Sequence, residues 1–199
     1  MPAKKTDTSH TIYQLKMTLR GAKPPIWRRL LVPSGMTFAQ LHNVLQVAMG
    51  WANYHLHEFE IGKQRIGVPG PEDDFMDMPP LRNERTVRLF SVLDKVGAKG
   101  RYTYDFGDSW EHSISIEKVR APEPGAAYPV CTGGAGKAPP EDCGGIPGFY
   151  DLLDILNDPK HEEHAAMREW VGGYFDPTAF SIDEVNRELG AMRRRRIKG

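Results

Sequence analysis

The scarcities of this sequence narrow the field first. Two cysteines, Cys131 and Cys143, in 199 residues are too few for a disulfide scaffold. No apolar run approaches the ~18 residues that a membrane span requires. The opening Met1-Pro-Ala-Lys-Lys-Thr carries charge with no apolar stretch behind it, so no secretory leader is expected. Net charge is absent too: 26 basic residues cancel 26 acidic ones, and no global field favours nucleic acid or a lipid surface. Internal repeats and low-complexity tracts are missing. A cytoplasmic chain with no membrane contact is the expectation.

The neutral total conceals an asymmetry. Residues 193–199 hold four arginines and one lysine, a local charge of +5, which leaves −5 on the preceding 192 residues. Such a basic tail suits weak, non-specific nucleic-acid contact through Arg193, Arg194, Arg195 and Arg196. A flexible stretch at 1–10, one domain over 11–192 and this tail complete the expected organisation.

Patterning supplies the elements. Tyr13, Leu15, Met17 and Leu19 alternate with Gln14, Lys16, Thr18 and Arg20, the period of a half-buried strand, and Ile26 to Val32 resumes extended structure. Thr37 with Gln40 forms a capping box before the apolar stripe Phe38, Leu41, Leu45, Ala48 and Met49, and Gly50 stops that helix. Residues 51–62 return to period two, and 86–95 read as a short helix. Tyr102, Tyr104 and Phe106 run into Gly107-Asp108, and Trp110, His112, Ile114 and Ile116 run out, a β-hairpin over 101–120. Six prolines and six glycines mark 121–147 as a long loop. Helices follow at 149–157, 161–171 and from Ser181 to about Met192. The expected fold is α+β: a mostly antiparallel sheet from the first two thirds packed against helices, with a helical last third.

Several constellations carry chemistry. His55 and His57 at alternate strand positions would place two imidazoles on one face about 6.5–7 Å apart, a spacing that suits two ligands of one metal ion. Asp108 and His112, at the hairpin tip, complete a candidate divalent-metal set, zinc among the ions considered. Asp105 and Glu141 are the candidate general bases. The alternative is that these rings pack in the core with their N–H groups satisfied by backbone. Cys131 and Cys143 lack the C-x₂₋₄-C pairing of structural zinc sites and read as free, partly buried thiols. His161-Glu-Glu-His164 lacks the HExxH spacing and reads as an exposed polar face. Trp27-Arg-Arg29 would turn Arg29 to one face of its strand and Arg28 to the other.

In order, Ile26-Trp-Arg-Arg, Leu41-His, Met49-Gly-Trp51, His55-Leu-His-x-Phe59, Tyr104-Asp-Phe-Gly-Asp-x-Trp-x-His112 and Pro139-Pro-Glu-Asp-Cys-Gly-Gly145 resemble the plasmid pRiA4b ORF-3-like family. The resemblance runs from about residue 12 to 180. It implies an α+β fold and, for some members, a place as TnpR-like passengers of insertion elements; it brings no catalytic residues with it. Ser9 lacks the activating arginines of a serine recombinase, and the tyrosine-recombinase pattern is missing. The expected function is therefore an accessory binding domain. Its ligand or protein partner would lie in a cleft lined by Arg29, His42, Trp51, Tyr104, Asp105, Asp108, Trp110, Glu141 and Asp142. The alternative is a divalent-metal-dependent hydrolase built on His55, His57, Asp108 and His112.

Overall fold

In a computed structural model, residues 11–70 and 79–197 are described. The expectation for residues 1–10 lies outside them. The elements in chain order are β1 (Ile12–Leu19), β2 (Trp27–Pro33), α1 (Phe38–Met49), β3 (His57–Ile61), β4 (Gln64–Gly67) and β5 (Leu81–Asn83). They continue with β6 (Lys99–Tyr104), β7 (Trp110–Arg120), β8 (Val130–Ala135), α2 (Gly145–Asn157), α3 (His164–Trp170) and α4 (Ile182–Ile197). The strands form one eight-stranded sheet in the order β5-β4-β3-β6-β7-β1-β2-β8, antiparallel throughout except for the β4–β5 pair. The fold is α+β, as the pattern predicts.

One face of the sheet is dry. Leu15, Met17 and Leu19 of β1, Leu30 and Val32 of β2, Phe59 of β3, Tyr102 and Tyr104 of β6, and Trp110 and Ile114 of β7 are all at most 2% exposed. Helix α1 covers this face, burying Phe38, Leu41, Val44 and Leu45; the rings of Phe38 and Phe59 meet edge to face at 4.9 Å. Each aliphatic side chain so buried contributes about 1.5–3 kcal/mol. The Thr37–Gln40 capping box forms as the sequence indicates, and Gly50 ends α1 at φ 79°. At that end the buried Arg28 donates from Nε to the Ala48 carbonyl (2.8 Å) and from Nη1 to the carbonyls of Trp27 and Ala135. Arg28 thus closes the helix C-terminus, where a cation is favoured.

The other face is wet and laced with charge. Glu58, Glu60, Glu111 and Glu117 alternate with buried neighbours, and pair with Arg65 (2.7 Å), Arg101 (2.7 Å), Arg20 (2.8 Å) and Arg29 (2.6 Å). An antiparallel sheet tolerates one solvated face in this way.

The structure departs from the expected elements at four places. Strand pairing after α1 starts only at His57, because residues 51–56 bond to side chains from elsewhere rather than to a neighbouring strand. The predicted helix over 86–95 contracts to one 3₁₀ turn, Leu89–Ser91, in which the Leu89 and Phe90 N–H groups donate to the Met36 and Ser34 carbonyls. The long loop 121–147 contains β8, paired with β2. The outer edge of β8 is shielded by Asn186 of α4, which accepts from the Cys131 N–H (2.7 Å) and donates to the Cys131 carbonyl (2.9 Å). Helix α4 also continues past Met192 through the four arginines to Ile197, and residues 198–199 of the basic tail lie outside the described residues.

Candidate functional site

Three loops meet above the β3–β6–β7 end of the sheet: 51–56 after α1, 105–109 between β6 and β7, and 139–145 before α2. Tyr104 stands where they join. Its hydroxyl donates to Glu141 Oε1 (2.6 Å) and accepts from the N–H groups of Tyr54 (3.2 Å) and His55 (3.4 Å). Burial and then the Glu141 bond raise the Tyr104 pKa well above its ordinary value. Glu141 Oε2 accepts from the Ala52 N–H at 2.6 Å. Both oxygens of Glu141 thus hold the first loop in place.

The clamp brings His55, Asp105 and Asp142 together. One ligand-type atom from each lies within 4.8 Å of the others, and among the described residues no other trio of His, Cys, Asp or Glu does so. His55 Nε2 stands 3.0 Å from Asp142 Oδ1 and 3.6 Å from Asp105 Oδ2, yet it is occluded and hydrogen-bonds to neither. The second oxygen of each carboxylate is engaged outside the trio. Tyr54 donates its hydroxyl to Asp142 Oδ2 (3.0 Å), and the Gly107 N–H donates to Asp105 Oδ1 (3.0 Å). Outer donors of this kind fix the orientation of metal-ligating carboxylates. Asp105 and Asp142 both adopt left-handed backbone (φ 55° and 61°), which non-glycine residues hold only where the surroundings over-determine it. At this turn the left-handed residues are Asp105 and Ser109. Around the trio, Tyr54, Leu56 and Phe106 are 61, 67 and 55% exposed.

The four residues expected to share a metal do not converge. His57 begins β3 and points its Nε2 at Glu84 Oε2, 2.6 Å away in a pair whose side chains are both under 9% exposed. Despite burial, which opposes it, the hydrogen bond from His57 holds Glu84 below its ordinary pKa. His112 is fully buried between Trp51 and Tyr102 and pushed down to about 4 by that burial. Asp108 accepts the Gly144 N–H (3.1 Å) and so ties the hairpin tip to the start of α2. His55, lying outside the strand, does not follow the two-residue alternation that would have paired it with His57.

The expected cleft residues also separate. Arg29 lies on the charged face with Glu117. Trp110 belongs to the core, and Trp51 stacks on Tyr104 at 5.2 Å while donating its indole N–H to the Pro139 carbonyl. His42 stacks on His57. Tyr104, Asp105, Glu141 and Asp142 do share the three-loop site. Sequence reading missed Tyr54, whose role follows only from Asp142 reaching it across 88 positions, and Glu84.

Among the described residues, neither thiol joins a trio of potential metal ligands. Cys131 is buried, and burial pushes Cys143 up to about 12. His164 Nδ1 binds the Ile155 carbonyl and His161 Nδ1 accepts the Glu163 N–H, so this pair serves the α2–α3 turn. Of the basic run, Arg193 donates to the Pro129 carbonyl.

A family model described as plasmid pRiA4b ORF-3-like protein matches residues 11–184. The chain is 40% identical over 181 residues to the "Uncharacterized protein y4hQ" of Sinorhizobium fredii (strain NBRC 101917 / NGR234), covering 90% of this chain and 91% of that protein. The crystal structure of a protein of unknown function, MM3350 from Methanosarcina mazei Go1, superposes with a TM-score of 0.78 at 37% identity. That match covers 87% of this chain and 97% of the other.

Proposed function

The chain belongs to the plasmid pRiA4b ORF-3-like family, and we propose that it is a binding module whose site is a divalent-cation centre formed by His55, Asp105 and Asp142. The observation that carries this reading is the convergence of one imidazole nitrogen and two carboxylate oxygens within 4.8 Å. An imidazole and two carboxylates suit borderline first-row ions such as zinc or manganese. Three protein donors leave coordination positions open, which a ligand oxygen can take. The exposed Tyr54, Leu56 and Phe106 beside the trio offer apolar contact to the rest of that ligand.

Open coordination positions are also what a metal-dependent hydrolase needs, and they favour it as the second reading. Glu141, each of whose oxygens accepts one hydrogen bond and keeps a second lone pair, is its candidate general base. A cytoplasmic location suits two unpaired thiols. An accessory role beside mobile elements follows from the family resemblance. Weak phosphate contact would fall to Arg194 and Arg195, with Arg193 engaged by Pro129.

Calorimetric titration of chelator-treated protein with zinc and with manganese tests the reading. One saturable site is expected, weakened at least ~10-fold in His55→Ala and in Asp105→Asn. No saturable site, or equal affinity in both variants, would remove the cation centre. Turnover of a generic phosphodiester or ester substrate by the loaded protein alone would promote the hydrolase.

A further inference from the structure

Between α1 and α4 runs a groove of about 660 Å³ that shares only loop 51–56 with the three-loop site and holds none of His55, Asp105 and Asp142. Gln40, Asn43, Gln46 and Val47 of α1 line one wall, Glu188, Ala191, Met192 and Arg195 of α4 the other, and Trp51, Ala52 and Asn53 close one end. We propose that this groove is a ligand site for a planar heterocycle carrying one acidic group, the chemistry of a nucleoside monophosphate. The inference stands apart from the cation reading and does not need it.

The groove's polar groups are held in fixed orientation by a buried relay. Gln46 Nε2 donates to the Tyr102 hydroxyl (2.9 Å), which bonds His42 Nδ1 (2.8 Å). Burial and the neighbouring His57 push His42 down to about 4, so its ring is neutral at pH 7 and carries one N–H. With Nδ1 accepting from Tyr102, that N–H is on Nε2 and meets Asn53 Oδ1 (2.5 Å). Asn53 in turn donates to Asn43 Oδ1 (3.2 Å), and Asn43 to the Ala39 carbonyl (2.9 Å). The relay sets which end of each amide is nitrogen, and each Asn NH₂ retains a second hydrogen for a ligand.

This wall offers donors and acceptors together. The spare amide hydrogens of Asn43 and Asn53 stand with the second lone pair of Asn43 Oδ1 and the Glu188 carboxylate, the mixed donor–acceptor set that the edge of a base requires. Val47, Ala191, Met192 and Trp51 supply apolar surface for its ring.

Charge sets the ligand's polarity. Glu188 and Arg195 lie seven residues apart on α4, about 10 Å along its axis. A phosphate is favoured at Arg195 and repelled from Glu188, whose carboxylate can instead accept sugar hydroxyls. Arg187, 3.7 Å from Glu188, tempers that repulsion.

The test is calorimetry of the full chain with AMP, GMP, CMP and UMP, with ¹⁵N-resolved amide shifts to locate binding. The expected result is one-to-one binding of at least one nucleotide, with shifts in Gln46 and Trp51–Asn53. Arg195→Gln should weaken it about tenfold, the scale of one charge-assisted contact. Ala191→Trp, which fills the groove from the α4 wall, should abolish it. Spectra of both variants must retain the wild-type core resonances, so loss of binding reports on the groove. No binding at ~1 mM, binding undiminished in Ala191→Trp, or equal affinity for inorganic phosphate would each overturn the proposal.

Discussion

The imidazoles of His42 and His57 lie face to face, with centroids 3.4 Å apart and planes within 2° of parallel. Two cationic rings cannot share that geometry in a buried setting, so the stack requires at least one neutral partner. His42 is that partner, its Nδ1 and Nε2 held by Tyr102 and Asn53. His57 keeps Glu84 at the other side of the stack. The pair joins α1, β3 and the segment after β5 in one buried polar unit beneath the candidate sites.

Acid should destabilise this fold through its buried imidazoles. His42 and His112 are both pushed down to about 4 in the folded chain, against about 6.5 when unfolded. The unfolded chain therefore binds more protons between those values. Stability is fully present above about pH 6.5 and falls as pH drops towards 4, by roughly 2–3 kcal/mol per histidine. Glu84, also lowered, loses its contribution in the same acid direction. Urea unfolding at pH 7 and pH 4.5 measures the difference; a flat profile would contradict the buried neutral assignment.

Tyr104→Phe should separate the site from the fold. The ring stays packed on Trp51, while the hydroxyl that bridges Glu141 to the 51–56 loop is lost. A stability loss of about 1–2 kcal/mol is expected, with cation affinity down roughly 10-fold. Thermal melting and calorimetry read the two effects. Unchanged affinity would mean that the clamp does not position His55.

Gly145→Ala tests the contact between the hairpin tip and α2. Gly145 sits at φ 69°, and a Cβ there would come within 2.4 Å of the Asp108 carbonyl oxygen, a backbone atom that cannot swing aside. A loss of about 1–3 kcal/mol is expected, together with weaker cation binding as loops 105–109 and 139–145 part. Gly172→Ala is the comparison, since φ is 80° there but nothing lies within 4 Å of an added Cβ. It should cost less stability and leave binding intact. Equal losses in the two variants would assign the effect to backbone strain alone.

What the sequence disclosed depended on how local each signal was. Helix α1, with its capping box and Gly50 stop, and the β6–β7 hairpin obey rules that act over a few residues. Strand β8 does not: Val130-Cys-Thr-Gly-Gly-Ala135 has no apolar alternation and is a strand through its pairing with β2. Alternation over 51–62 was misleading because side chains of Glu141 and Tyr104 take the backbone donors of Ala52, Tyr54 and His55. Asp105 and Asp142 were recognisable as chemistry-bearing residues, but their meeting with His55 spans 50 and 87 positions. Only tertiary structure reveals which histidine they join.

The most direct measurement is a crystal of the zinc-loaded protein, with anomalous diffraction recorded on both sides of the zinc edge. The account expects one strong peak about 2.0–2.3 Å from His55 Nε2, Asp105 Oδ2 and Asp142 Oδ1, absent from crystals of His55→Ala. A fully soaked crystal with no peak among these three residues, or with its only peak elsewhere, would contradict it.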